Sequence, residues 1–237
     1  MKVLMVGAAG HVGGILRPAL EARHECRYVD LKPIPGAEDR TVVGSVTDHE
    51  VMAQAMEGID VALQLAMAPY RGADEPRSVD LSYDVHVKGM HRVLEAAVRA
   101  GTKRVVYAST LSVYRGNRAG GLRTEEMPPD AVDLYGLTKR LGEEVCKAFA
   151  VRHAPLSVLA LQLVQPRTEE QWAKPPEGRQ NRNYMTGPED LRDAWLRAIE
   201  LEDHQGYDAV FICSDLEAQF LDLSKAKRLL GWVPQGR

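Results

Sequence analysis

Short, unbroken apolar runs recur along this chain, and a stretch of helical periodicity follows most of them. The runs are KVLMV (2–6), CRYV (26–29), TVV (41–43), DVALQLA (60–66), RVVYAS (104–109), LSVLALQL (156–163) and DAVFICS (208–214). A strand with one face in water alternates apolar and polar residues, whereas a strand covered on both faces does not. Continuous Val/Leu/Ile runs therefore point to the inside of a parallel sheet. The intervening stretches, at about 11–23, 48–57, 79–100, 134–152, 188–201 and 222–230, read as helices. The clearest is VHVKGMHRVLEAAVRAG, which places Gly101 as its C-terminal stop. Alternation of this kind predicts a doubly wound α/β fold.

At 237 residues, 45% hydrophobic and 27% charged, the chain supports one well-buried core. A net charge of −3 with interspersed signs offers no basic field to nucleic acid or anionic lipid. No apolar run approaches the roughly 20 residues of a membrane span, so no membrane partner is expected. Cys26, Cys146 and Cys213 lie far apart and match neither a disulfide framework nor a metal-site spacing. Reduced thiols, no metal and a cytoplasmic location are the expectations. Pro18 falls inside the first helix, where the missing backbone donor predicts a kink near Arg17. From 164 to 187 the sequence turns rich in Pro, Gly, Asn, Gln and charge. A stretch of that texture is either a functional loop or a disordered one. Read as a cap over a cleft, it divides the chain into a main α/β domain (1–163) and a small cap region (164–237). The second region returns a strand and a helix to the main fold.

The first strand runs into GAAGHVG, with Gly7, Gly10 and Gly13 ahead of a helix. Such glycines permit a tight turn, close approach of backbone to a pyrophosphate, and close helix–strand packing. The helix N-terminus then supplies amides and a favourable dipole to the phosphate charge. His11 and Val12 belong to the same loop, with His11 reading as a solvent-facing filler rather than a catalyst. Asp30 ends the second strand about 20 residues on, where a carboxylate binds an adenosine ribose diol. That carboxylate repels a ribose 2′-phosphate, so NAD is the expected cofactor over NADP. The fold is then a Rossmann-type doubly wound parallel sheet with a small C-terminal substrate-binding cap.

Tyr135 and Lys139 stand four positions apart at the head of a helix-prone run, DLYGLTKRLGEE (133–144). On its own the spacing fits an exposed helix pair as well as a proton-transfer unit. The fifth strand ends at Ser109 and Thr110, at the carboxyl edge where open α/β sheets bind ligands. Thr110 is there either a β-branched strand cap or a group facing a ligand.

The order GAAGHVG, Asp30, GIDVALQLA (58–66), YASTLSVY (107–114), YGLTK (135–139) and LDLSKAKRLLGWVP (221–234) resembles the extended short-chain dehydrogenase/reductase superfamily. That is the NAD-dependent epimerase/dehydratase group, and the resemblance covers nearly the whole chain. Within it, LRPAL (16–20), LYGLTK (134–139) and GWVPQ (231–235) are most similar to uronate dehydrogenases. The resemblance implies Tyr135 as general base, Lys139 as the cation that binds the nicotinamide ribose and lowers the tyrosine pKa, and Thr110 as the hydrogen-bonding partner of the reacting oxygen. It also implies Ser45 and Val46 along the adenine, and Leu65, Ala66 and Met67 beside the pyrophosphate and ribose. Ser109 and Leu163 to Pro166 come near the nicotinamide, with Arg71, Ser112 and Gln165 toward the substrate.

Several positions depart from the family pattern. Ser45 replaces an adenine-contacting Asp, His86 replaces a helix Asn, Arg115 follows SVY where Gly is common, and Ala160 stands where an Arg is frequent. Arg71 or Arg167 would have to compensate for that last loss if the substrate carries a carboxylate. The implied activity is hydride transfer from a sugar or sugar-acid hydroxyl to NAD. A nucleotide-sugar epimerase that uses NAD transiently is the alternative. Helices at 79–100 and 134–152 are similar to those through which relatives dimerise, which implies a homodimer.

Overall fold

The structure is a computed structural model, and it describes residues 1–69, 75–114, 116, 122–176 and 181–237. Strands β1 (Lys2–Val6), β2 (Glu25–Asp30), β3 (Thr41–Val43), β4 (Val61–Gln64), β5 (Arg104–Thr110), β6 (Ser157–Leu163) and β7 (Gly206–Ile212) form one sheet. Their order is β3-β2-β1-β4-β5-β6-β7, with every neighbouring pair parallel. All seven apolar runs are therefore strands. The register pairs Val6 with Val29 and Gln64, and Thr110 with Leu163, so the carboxyl ends of the central strands finish side by side.

Burial on both faces accounts for the unbroken apolar runs. Val3 and Met5 of β1 join the core beneath α1 (His11–Glu21), α7 (Pro188–Glu200) and α8 (Ser224–Leu230). Leu4 and Val6 join the opposite core, beneath α2 (His49–Met56), α4 (Gly89–Ala100) and α5 (Leu134–Arg152). Asp48 caps α2 by accepting from the amides of Glu50 and Val51. The helix expected at 79–100 is two helices, α3 (Pro76–Tyr83) and α4, joined by a π-helical turn at Asp84–Lys88. Gly101 ends α4 in the left-handed conformation, φ 72°. Helix α1 runs unbroken through Pro18.

Residues beyond 163 contribute β7, α7 and α8 to the sheet and its cover. A short helix, α6 (Glu169–Ala173), escaped the sequence reading although its capping box, Thr168 with Gln171, stands in the sequence. The chain end is tied down. The Asp190 carboxylate accepts from the Ser214 hydroxyl at 2.6 Å and from the amides of Gln235 and Gly236 at 2.7 and 2.9 Å. Trp232 is fully buried, and its indole donates to the Asp190 carbonyl at 3.2 Å. Among the described residues no helix is long and apolar enough to cross a membrane.

Trp232 thus fills a core site from the last turn of the chain. Trp232→Ala is expected to lower unfolding free energy by roughly 3–5 kcal/mol, the usual cost of emptying such a site. Urea unfolding checks this, and a loss below about 1 kcal/mol would mean that the tail is not part of the core.

Candidate active site

Strand order reverses between β1 and β4, and a cleft of about 680 Å³ opens at the carboxyl ends of these strands. Ligands of open α/β sheets bind at such a point. From the cofactor set proposed by sequence, Gly7, Gly10, His11 and Val12 line the cleft from the first turn, and Asp30, Ser45 and Val46 from the second and third strand ends. Leu65, Ala66 and Met67 line it beyond β4. Ser109, Thr110, Ser112, Tyr135, Lys139, Leu163 and Gln165 complete the wall. Gly13, in the first turn of α1, is buried and does not line the cleft, and Arg71 lies outside the described residues, as does Arg115. Ala9, Leu31, Gly44 and Val85 also line the cleft, and sequence reasoning missed them. They are apolar or featureless, and only the fold brings them in.

The turn after β1 is built for close approach. Gly7 has φ +86°, and a β-carbon there would lie 2.5 Å from the Ala66 amide nitrogen. At Gly13 it would lie 2.4 Å from the Ala8 carbonyl oxygen, so this glycine seats the helix on the turn. Asp30 is oriented by two backbone donors, Ala9 at 2.9 Å and Leu31 at 2.8 Å. The Ser45 hydroxyl meets the Thr47 hydroxyl at 2.8 Å, a local turn contact. His11 is exposed, as a filler would be, yet its Nε2 donates to the Pro166 carbonyl at 2.8 Å and so bridges two walls of the cleft. Pro166 follows Gln165, a non-glycine residue held at φ 41°. A glycine cradle, an amide-rich helix end and a fixed carboxylate fit a dinucleotide.

The opposite wall begins where Asp133 caps α5 by accepting from the Gly136 amide at 2.9 Å. Tyr135 is half-buried in the first turn of that helix. Lys139, one turn later, is 2% exposed. Its Nζ donates to the Ala108 carbonyl at 2.8 Å and lies 4.8 Å from the Tyr107 ring centroid. Burial pulls its pKa down to about 7, against the upward influence of the Glu143 charge. The Thr110 hydroxyl accepts from the Ser112 amide at 3.1 Å, which leaves its own proton to donate. Ser109 turns its hydroxyl inward to the Glu143 carboxylate.

His86 stands where a helix Asn is customary, and the π-helical turn points it into the interior. Its Nε2 accepts from the Ala68 amide at 3.1 Å, and its Nδ1 meets the Thr138 hydroxyl at 2.8 Å. A backbone amide can only donate, so Nε2 is the bare nitrogen and Nδ1 carries the proton. The ring meets Tyr135 edge-on, centroids 5.8 Å apart. His86 therefore braces the tyrosine, a role that the sequence did not disclose. Ala160 is buried in the core face of β6 and does not line the cleft. Arg167 donates to the Gln165 side chain at 3.1 Å and lines a smaller cavity of about 180 Å³ with Trp172, Lys174 and Arg182.

Fold and cleft together define a Rossmann-type dinucleotide-binding protein. The chain belongs to the NAD dependent epimerase/dehydratase family, whose profile matches residues 3–185. It is 28% identical to an L-arabinose 1-dehydrogenase (NAD(P)(+)) of Haloferax volcanii over 251 residues, covering 99% of this chain and 96% of that protein. A uronate dehydrogenase of Pseudomonas syringae pv. tomato is 25% identical over 235 residues, with 96% and 80% covered. Among solved structures, a mutated uronate dehydrogenase superposes with a TM-score of 0.84 at 25% identity, covering 99% of this chain and 81% of that one.

Burial, and secondarily the Lys139 charge, push the His86 pKa down to about 2. The folded chain therefore refuses a proton that the unfolded chain binds below about pH 6.5, so this residue makes stability fall as pH drops from there. Nitrogen-detected NMR should show the neutral Nδ1–H form from pH 8 down to about 5. A His86 ring that titrates near 6.5 would remove it as a neutral brace.

Proposed function

We propose that the protein is an NAD-dependent dehydrogenase of a small sugar or sugar acid, with Tyr135 as the base. The observation that carries this reading is the convergence of Thr110, Tyr135 and Lys139 on the same cleft as the glycine turn and Asp30. In this reading the turn at Gly7 to Val12 holds a pyrophosphate and Asp30 a ribose diol. Bound NAD supplies the hydride acceptor. Tyr135, as phenolate, takes the proton of the substrate hydroxyl. The Lys139 ammonium favours the phenolate, because a nearby cation stabilises the charged form of a phenol. Thr110 donates its free proton to the reacting oxygen. Ser112 and Gln165 sit at the mouth of the same cleft. Arg167, hydrogen-bonded to the cleft-lining Gln165, is the cation this reading assigns to an acidic substituent, with residues 164–187 as the cap.

Relatives that span the whole chain include a pentose dehydrogenase and a uronate dehydrogenase by name. These support a free aldose or uronate over a nucleotide-linked sugar. The alternative is an epimerase that reduces and reoxidises its NAD within one turnover. Incubation with NAD and a panel of free aldoses and uronates, followed by NADH absorbance, separates the two. Steady NADH formation with one sugar is expected, with kcat falling at least about 100-fold in Tyr135→Phe, the lower range for loss of a general base. Nucleotide-sugar epimerisation without net NADH would sink the dehydrogenase reading.

The proposal extends to a cytoplasmic homodimer, which the three buried free thiols and the surface of α3–α5 support. Tyr83, Val87, His91 and Val145 line an open groove on that surface. Light scattering at micromolar concentration is expected to give twice the chain mass of 26.2 kDa. A monomer would refute the dimer.

A further inference from the structure

Behind the cleft, α5 presents a polar stripe to the interior of the sheet. Tyr135, Lys139 and Glu143 recur every four residues and so share one helix face. Glu143 does not line the cleft, yet it is 2% exposed. Its Oε1 accepts from the Ser109 hydroxyl and from the Gln162 side-chain amide at 2.9 Å. A carboxylate buried to this depth is costly unless partners stabilise its charge.

We propose that Glu143 is a positioning residue of the active site: its charge, one turn behind Lys139, keeps that lysine protonated, and its oxygen anchors Ser109 beside Thr110. This rests on the reading of Tyr135 and Lys139 as base and cation. The surroundings leave Glu143 alone in the role. Facing Lys139 are the Tyr107 ring from β5, His86 from the π turn and Cys146 on its own helix. Facing Glu143 are Ser109 from β5, Gln162 from β6, Tyr207 from β7, Tyr114 just beyond β5, and Lys147 and Cys146 on its own helix. Burial holds Tyr107, Tyr114, Tyr207 and Cys146 above their ordinary values, so all stay neutral at physiological pH. His86 is neutral as well. Among these described neighbours Glu143 is the one carboxyl group, and so the one placed to balance a protonated Lys139. Burial pushes its own pKa upward, and the Ser109 and Gln162 hydrogen bonds oppose that.

Removing the charge must therefore release the Lys139 proton more easily, and a neutral lysine gives the tyrosine no help. Protein labelled with ¹³C at the lysine ε and glutamate δ carbons reads this without any substrate. In Glu143→Gln, which keeps the shape and an acceptor oxygen, the Lys139 titration should fall by at least about one pH unit. In Lys139→Met, the Glu143 titration should rise by the same amount, because coupling between two sites is reciprocal. Either variant alone suffices if the other does not fold. Movements below about 0.3 unit in the folded variants would overturn the proposal, since a neighbouring charge of opposite sign shifts a buried group by more. With a substrate in hand, the alkaline limb of kcat/KM in Glu143→Gln should move to lower pH by the same shift, and Glu143→Asp should restore it. Shifted titrations with no NADH from any sugar would uphold this pair and remove the dehydrogenase reading. NADH formation with unmoved titrations would do the reverse.

Discussion

The Nζ of Lys139, buried and hydrogen-bonded to the Ala108 carbonyl, governs how the second wall of the cleft is built. A cation taken out of water is costly unless fixed partners replace its solvation. Here a strand carbonyl and an aromatic face provide them, and the Glu143 carboxyl group stands one turn away on the same helix. That requirement clamps α5 against β5. It also calls for a small residue where the helix passes closest to its neighbours. A β-carbon at Gly142 would lie 2.6 Å from the Tyr107 hydroxyl and 2.8 Å from the His86 carbonyl. With the helix so seated, Tyr135 in its first turn and Thr110 at the end of the strand line one cleft.

The opposite wall depends on backbone rather than on charge. Gly7 lets the first turn touch the end of β4, and Asp30 is locked by two amides of that same edge. Parallel register then decides what lines the opening, because the last residues of β1, β2 and β4 stand level. His11 and Pro166 close the gap between this wall and the segment beyond β6. The strained Gln165 backbone lies immediately before that contact, and such strain persists only where its surroundings over-determine it.

Much of this was legible in the residues. Unbroken apolar runs marked the central strands because both faces are buried, while the edge strand β3 leaves Val43 half exposed, and Gly101 marked the end of α4 because a left-handed residue was needed there. Tyr135 and Lys139 were visible as a spacing, and the glycine turn and Asp30 as a motif. What stayed hidden depends on contacts between residues distant in sequence. The π-helical turn that carries His86 inward leaves no periodicity signal, since VHVKGMHRVLEAAVRAG has the same apolar spacing with or without it. Helix α6 has only five residues and no buried one, so no apolar stripe announces it. Glu143 looked like one charge among many in KRLGEE, and only the sheet packed against it separates it from the exposed Glu144.

Cofactor and substrate halves of the cleft therefore differ in how strongly a sequence can specify them. Main-chain geometry at strand ends builds the first, and a few glycines and one carboxylate suffice to announce it. Beyond β6 only Gln165 and Pro166 of the described residues line the cleft, while Arg167 is braced by Gln165 and Arg182 donates to the carbonyls of Trp172 and Lys174 around a separate, smaller cavity. Neither arrangement repeats with a helix or strand period. Exposed residues of such loops tolerate exchange better than the strands beneath them. The charge held behind the cleft has no such freedom. Ser109, Lys139, Glu143 and Gln162 sit on three different elements of the core, and altering one leaves a buried polar partner exposed to the full cost of desolvation.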